Sequence, residues 1–143
     1  MMSSDDGPIT VLTKDEAWEF LRKRTMGRLA VSVAGHPDIF PINYYADDDS
    51  IVFRTAPGSK LLEVTINSSV ALETDAYGPN EAWSVVVKGT AAVIEKQDDI
   101  YAAEVLPLRS WVPTVKPIFV RVTPTEVNGR HFDLGPEPEP DPY

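Results

Sequence analysis

The chain contains no cysteine. That excludes disulfides, thiolate metal sites and a cysteine nucleophile. Histidine is almost as scarce. His36 and His131 are the two present, too few for a histidine-rich metal centre, so no metal site is expected. No apolar run approaches the roughly 20 residues that a bilayer span requires, and no membrane association is expected. Bases are few: 13 Lys and Arg stand against 22 Asp and Glu, a formal net charge of −9. Four of those acids (Asp133, Glu137, Glu139, Asp141) lie in the last eleven residues, where there is no base; without them the balance is 13 against 18, or −5. A broad basic face for nucleic acid is therefore not expected. The start of the chain is polar and acidic, which does not read as a signal peptide; a cytoplasmic protein is the expectation.

What is present suffices for one domain of 143 residues with a core of its own. Residues 1–10 read as a frayed lead-in, 11–132 as the folded domain, and 133–143 as an acidic, proline-rich tail that cannot bury enough apolar surface to order itself. Thr13 and Glu16 have the spacing of a capping box and predict a helix to about Arg24, with Ala17, Trp18 and Leu21 on its buried stripe and Gly27 at its exit. Gly27–Ala34 alternates as a strand, Gly35-His36 suits a hairpin turn, and Asp38–Tyr45 predicts a second strand. Pro41 cannot donate to a ladder, so that strand should be at an edge or bulged there. Asp47, Asp48 and Asp49 read as a solvated turn. Strand signals follow at Ile51–Thr55, Val70–Asp75 and Trp83–Ile94, with Gly89 as a bend. A short helix is expected over Gln97–Val105. Ile118–Val122 should end at Pro124, and a last short strand should run from Glu126 to Phe132. About six strands, with three in hairpin succession and only short helices, predict a mainly β chain: a six-stranded antiparallel barrel rather than a doubly wound sheet.

One stretch concentrates cations in this acidic chain. In Ile51-Val52-Phe53-Arg54-Thr55-Ala56-Pro57-Gly58-Ser59-Lys60 a strand hands over to a helix, and no acid interrupts from Ser50 to Leu62. Arg54 supplies a planar fork for phosphate oxygens and Lys60 a point charge. Thr55 and Ser59 add hydroxyls, and a helix start adds backbone N–H groups. The stretch suits one phosphate; a solvated strand–turn–helix corner fits the same spacing.

Gly27-Arg28-Leu29-Ala30-Val31, Pro37–Tyr44, the Ile51–Lys60 stretch, Trp83–Gly89 and Phe119–Val122 follow one another in an order that resembles the pyridoxamine 5′-phosphate oxidase-like flavin-binding split-barrel proteins, especially their short bacterial branch, over about Leu12 to Phe132. The resemblance implies a Greek-key split β-barrel and a homodimer with FMN at the subunit interface, serving an oxidoreductase. It implies that Arg54, Thr55, Ser59 and Lys60 grip the phosphate and that Pro41, Ile42 and Asn43 run past the flavin ring. It further implies that Trp83 and Ser84 approach from the neighbouring subunit, and that Trp111 helps wall the site. The same cradle fits the deazaflavin F420, whose acidic tail the overall acidity disfavours, and a flavin-storage module without turnover is a third reading. The family's oxidases carry a C-terminal arginine and histidine one residue apart. Here Arg130 and His131 are adjacent, which argues against pyridoxamine phosphate oxidase activity itself. No catalytic side chain is named.

Overall fold

A computed structural model describes residues 7–108 and 114–140. Seven strands and three short helices follow in the order β1 (Ile9–Val11), α1 (Lys14–Lys23), β2 (Met26–Val33), β3 (His36–Ala46), β4 (Ile51–Thr55), α2 (Lys60–Thr65), β5 (Ser69–Tyr77), β6 (Glu81–Val93), α3 (Gln97–Glu104) and β7 (Ile118–Asp133). Neighbours run β7-β4-β3-β2-β5-β6, and β6 pairs with β7 again, so six strands close a ring in which every pairing is antiparallel. This is the expected mainly β, six-stranded split barrel. The seventh strand, β1, adds to β7 beside β4. It takes in Ile9 and Thr10, which pair with Phe132 and His131.

Alternation fills the barrel. Leu29, Val31, Ile42, Tyr44, Phe53, Leu72, Val85, Val87, Val120 and Val122 are buried in one cluster. Helix α1 closes it with Ala17, Trp18 and Leu21. Thr13 caps α1: its hydroxyl accepts from Glu16 N at 3.1 Å, and Glu16 Oε1 accepts from Thr13 N at 2.9 Å. Tyr44 is inward, donating its hydroxyl to the Leu21 carbonyl at 2.8 Å, and burial pushes its phenol up to about 12. Tyr45 occupies the opposite face, as alternation requires. A smaller cluster of Val52, Ile94, Ala103 and Phe119 packs α3 on the outside of β4.

The β3–β4 turn is held from within. Asp47 Oδ1 accepts from the Asp49 and Ser50 N–H groups at 2.9 and 2.6 Å, and its Oδ2 lies 3.2 Å from Arg121 Nη1. Partial burial pushes the Asp47 carboxyl up, but these bonds and Arg121 outweigh it and hold it below its ordinary value. The triple-acid run is thus a turn, as its composition suggested.

Three local expectations are corrected. Gly27 does not mark the exit from α1; it lies within β2, where a Cβ would stand 2.8 Å from the Glu73 carbonyl oxygen of β5. The first hairpin turns on Ala34 and Gly35, both at positive φ, so His36 already belongs to β3. Pro124 does not end a strand. β7 runs through it because the ladder to β6 slips at Lys88/Gly89, where Gly89 pairs with Pro124 and Lys88 with Glu126. The missing N–H is tolerated at such a bulge. Gly89 is the obligatory partner: a Cβ there would stand 2.2 Å from the Thr123 carbonyl oxygen.

On the outward face, Arg28 of β2 bridges two acids of β5. Its Nη1 lies 2.9 Å from Glu73 Oε1 and 3.4 Å from Asp75 Oδ2. Burial, and then the hydrogen bond and charge of Asp75, push the Glu73 carboxyl up to about 7 despite Arg28.

Gly89→Ala should lower stability by about 2 kcal/mol, the scale of a forced overpacking shift, read as an earlier urea midpoint; an unmoved midpoint would contradict the bulge geometry. Glu73 gives a second test. The folded chain keeps its proton up to about pH 7, whereas the unfolded chain releases it near 4.5. The unfolded state therefore binds fewer protons between those values, and stability falls as pH rises through that window. Glu73→Gln should remove this fall in urea titrations across the window; an unchanged slope would show that Glu73 titrates normally.

Candidate functional site at the β3–β4 split

The β3–β4 ladder has three rungs, Ala46↔Ile51, Tyr45↔Val52 and Tyr44↔Phe53. Beyond the last rung the next residues are Asn43 on β3 and Arg54 on β4. From there the strands take different partners. β4 continues along β7, with Arg54 opposite Phe119 and Thr55 opposite Ile118. From His36 to Asn43, β3 is paired with β2 alone among the described residues. Pro41 falls in this one-sided stretch, as its missing N–H predicted. The barrel is split here, with Asn43 and Arg54 the first residues past the last rung.

Local chemistry explains how the cationic side is held. Arg54 Nε donates to the Lys116 carbonyl at 2.9 Å, and its guanidinium carbon lies 5.3 Å from the centre of the Phe119 ring. Both contacts aim the arginine; neither neutralises it. Thr55 is buried and its Oγ1 lies 2.7 Å from Ser59 Oγ. Ser59 caps α2, accepting from Leu62 N at 3.1 Å. The helix is six residues long, too short to add much dipole field, and Ser59 already occupies one of its first N–H groups. Any anion here is held by charge more than by the helix start. Lys60 is exposed at the first position of α2. Among the described residues, neither Arg54 nor Lys60 forms an ion pair with an acid. Arg22, Arg28 and Arg121 all do.

The remaining expected residues are distributed by strand parity. Pro41 and Asn43 share one face of β3, half-exposed or more, while Ile42 points into the core. Ile42 therefore turns its side chain away from the split, and the same alternation that has Tyr44 N donate to the Thr25 carbonyl directs its backbone groups towards β2. Ser84 lies on β6 opposite Asp75 of β5 and Arg130 of β7. Trp83, one residue earlier, faces the other way. It stacks on Phe20 of α1 at 5.8 Å between ring centres, lies 4.4 Å from the His131 ring, and donates to Glu81 Oε1 at 3.2 Å. Within one chain, Trp83 and Ser84 are thus not gathered with Arg54. Trp111 lies outside the described residues.

Sequence reasoning left His131 without a partner. In the fold it is 5% exposed, with Nε2 3.0 Å from Glu81 Oε1 and Trp83 against its ring. The supports of Arg54, namely Phe119 and the Lys116 carbonyl, were also missed, since the nearer of them lies 62 residues further along the chain. Arg28 with Glu73 left a signal: opposite charges on successive outward positions of two predicted strands.

The sequence profile of the pyridoxamine 5′-phosphate oxidase family matches residues 13–131. An uncharacterized protein of Mycobacterium tuberculosis is 30% identical over 129 residues, covering 85% of this chain and 84% of its own length. A crystal structure from Corynebacterium glutamicum, provisionally assigned to the same oxidases, superposes with a TM-score of 0.84 at 41% identity, covering 94% of this chain and 100% of that one. An FAD-binding protein of Mycobacterium smegmatis gives a TM-score of 0.78 at 35% identity, covering 87% and 98%. A second FAD-binding protein, from Mesorhizobium loti, gives 0.75 at 26% identity, covering 86% and 97%. Profile, relatives and the closed six-strand ring agree, and the chain belongs to the pyridoxamine 5′-phosphate oxidase family.

Proposed function

We propose that this protein binds a flavin nucleotide at the β3–β4 split and serves as a flavin-dependent oxidoreductase, acting as a homodimer. One observation carries the reading: in a chain with net charge −9, Arg54 at the split has no carboxylate partner among the described residues and is held by contacts that leave its charge uncompensated, and Lys60, likewise without an acid partner among those residues, opens the helix that follows. A phosphate group fits that donor set. The Thr55–Ser59 hydroxyl pair lies between the two cations in sequence and offers further hydrogen bonds. Both FAD-binding relatives support a flavin. The single-phosphate cradle favours FMN, and the relatives favour FAD.

The residues divide the work. Arg54, Lys60, Ser59 and Thr55 would hold the phosphate. Pro41, Ile42 and Asn43 would run past the ring along the stretch of β3 that β4 has left. A bound flavin supplies hydride or one-electron transfer. The chain's own part is to bind, orient and shield. The homodimer is supported by the one-sided pairing of β3 and by Ile39 on its outward face, 65% exposed. Ser84 is available to a partner subunit on that same kind of face. Trp83 would offer a cofactor the part of its ring that Phe20 and His131 leave uncovered.

Pyridoxamine phosphate oxidase activity itself is not supported. Arginine and histidine one residue apart on a strand share a face; adjacent residues oppose each other. Arg130 is exposed here and His131 is buried, so they cannot grip one substrate together.

Lys60→Ala should weaken FMN binding by about tenfold, the loss of one charge-assisted bond, with no change in thermal midpoint because Lys60 is exposed. Arg54→Ala should weaken it by at least as much, with a stability loss of about 1 kcal/mol from the Lys116 and Phe119 contacts. Fluorescence titration with FMN and with FAD measures both; unchanged affinity in the double variant would place the phosphate elsewhere.

A further inference from the structure

The outward face beside the split carries one more organised group of charges. Pro41 of β3 stands opposite Arg28 of β2, and Arg28 stands opposite Glu73 of β5. Directly paired residues share a face with Cβ atoms about 5 Å apart. A group lying against Pro41 is therefore in reach of Arg28, and about 10 Å from Glu73, two strands away. Arg28 is bound to both acids of β5, at 2.9 Å to Glu73 and 3.4 Å to Asp75. Arg24 approaches the same place from the end of α1, its Nη2 donating to the Asp75 carbonyl at 3.3 Å. Ser84 adjoins the cluster, opposite Asp75.

We propose that Arg28, Glu73 and Asp75 form a proton-linked electrostatic element of the cofactor site. Two carboxylates share one guanidinium, so the cluster carries one excess negative charge when both are ionised and none when one is protonated. Either state acts on an anionic nucleotide whose ring lies against Pro41 and Asn43 and whose phosphate lies at Arg54, three strand spacings or about 15 Å from Glu73. The ionised cluster repels it, and uptake of one proton relieves the repulsion. The inference rests on the flavin reading above and adds to it a regulation by pH. Glu73 is the proton-accepting member, since burial and Asp75 push its carboxyl up to about 7. The other charges facing this region are Arg24, Arg130 opposite Ser84, and the Lys88–Glu126 pair at 3.7 Å on β6 and β7.

The test uses the full chain and FMN. Affinity and the absorbance of the bound flavin are followed from pH 5 to 9 in wild type, Glu73→Gln and Glu126→Gln, with circular dichroism confirming the fold at each pH. The phosphate of FMN titrates in the same range, but it does so equally in all three proteins and cancels in the ratio. Wild type should lose about twofold in affinity relative to Glu73→Gln as pH passes 7, the effect of one unit charge about 15 Å away in a medium between protein surface and water. The bound flavin's spectrum should move with the same midpoint. Glu126→Gln should behave as wild type. If wild type binds FMN but tracks Glu73→Gln at every pH, the cluster has no part in the site and the inference is overturned. If Glu126→Gln also removes the difference, the effect is one of overall charge and the inference is again overturned. If wild type binds neither FMN nor FAD at any pH, the proposed function fails and this regulation fails with it.

Discussion

Everything at the site depends on β4 losing one of its two partners. For three rungs it pairs with β3; thereafter it keeps only β7. A strand that lies inside a sheet for half its length and leaves its neighbour for the other half opens a seam without unfolding either side. The seam persists because β7 holds β4 in place. β7 runs sixteen residues, pairs with β6 through a bulge, and meets β4 and then β1 along its other edge. β4 is also buried on both faces, by the barrel core within and by α3 without. The cost of exposing β3's edge is thus met by closure elsewhere in the ring.

Electrostatics sets Arg54 apart from three other arginines of the surface, while Arg24 is held in the same way, by the Asp75 carbonyl and the Phe20 ring. Arg22, Arg28 and Arg121 are each bound to acids, and those pairs fasten α1 to the β3–β4 turn, β2 to β5, and β7 to that turn. Arg54 is fastened instead by a carbonyl and an aromatic ring, contacts that fix its position and preserve its charge. Preorganised, uncompensated charge is what an anion site requires, because little conformational entropy is then lost on binding. The Arg28 cluster is the complement on the same outward face: charge that is compensated in one protonation state and in excess in the other.

The sequence was most legible where local chemistry decides. The Thr13–Glu16 capping box, the Gly89 bend and the alternation around Leu29, Leu72 and Val87 all depend on neighbours a few residues away. Pro41 was legible for the same reason: a residue without an N–H must sit on an unpaired edge. Pro124 obeys the same rule, but its reading as a strand end was mistaken. Whether a proline ends a strand or marks a bulge depends on Gly89 of β6, thirty-five residues earlier in the chain. Ile9 and Thr10 became strand through pairing with the far end of β7. The burial of His131 against Trp83, and the lodging of Arg54 over Phe119, are likewise products of long-range register. The cationic stretch itself could be read as a cradle or as a solvated corner. The ladder's end at Tyr44 and Phe53, together with the absence of acidic partners among the described residues, supports the cradle proposed above.

The most direct measurement is an absorbance spectrum of the protein as purified and after flavin titration, with mass analysis of any released ligand. The account predicts a flavin spectrum, a released mass equal to FMN or FAD, and saturable uptake by protein stripped of ligand. A colourless protein that takes up neither flavin, or one that releases F420 in their place, would contradict it.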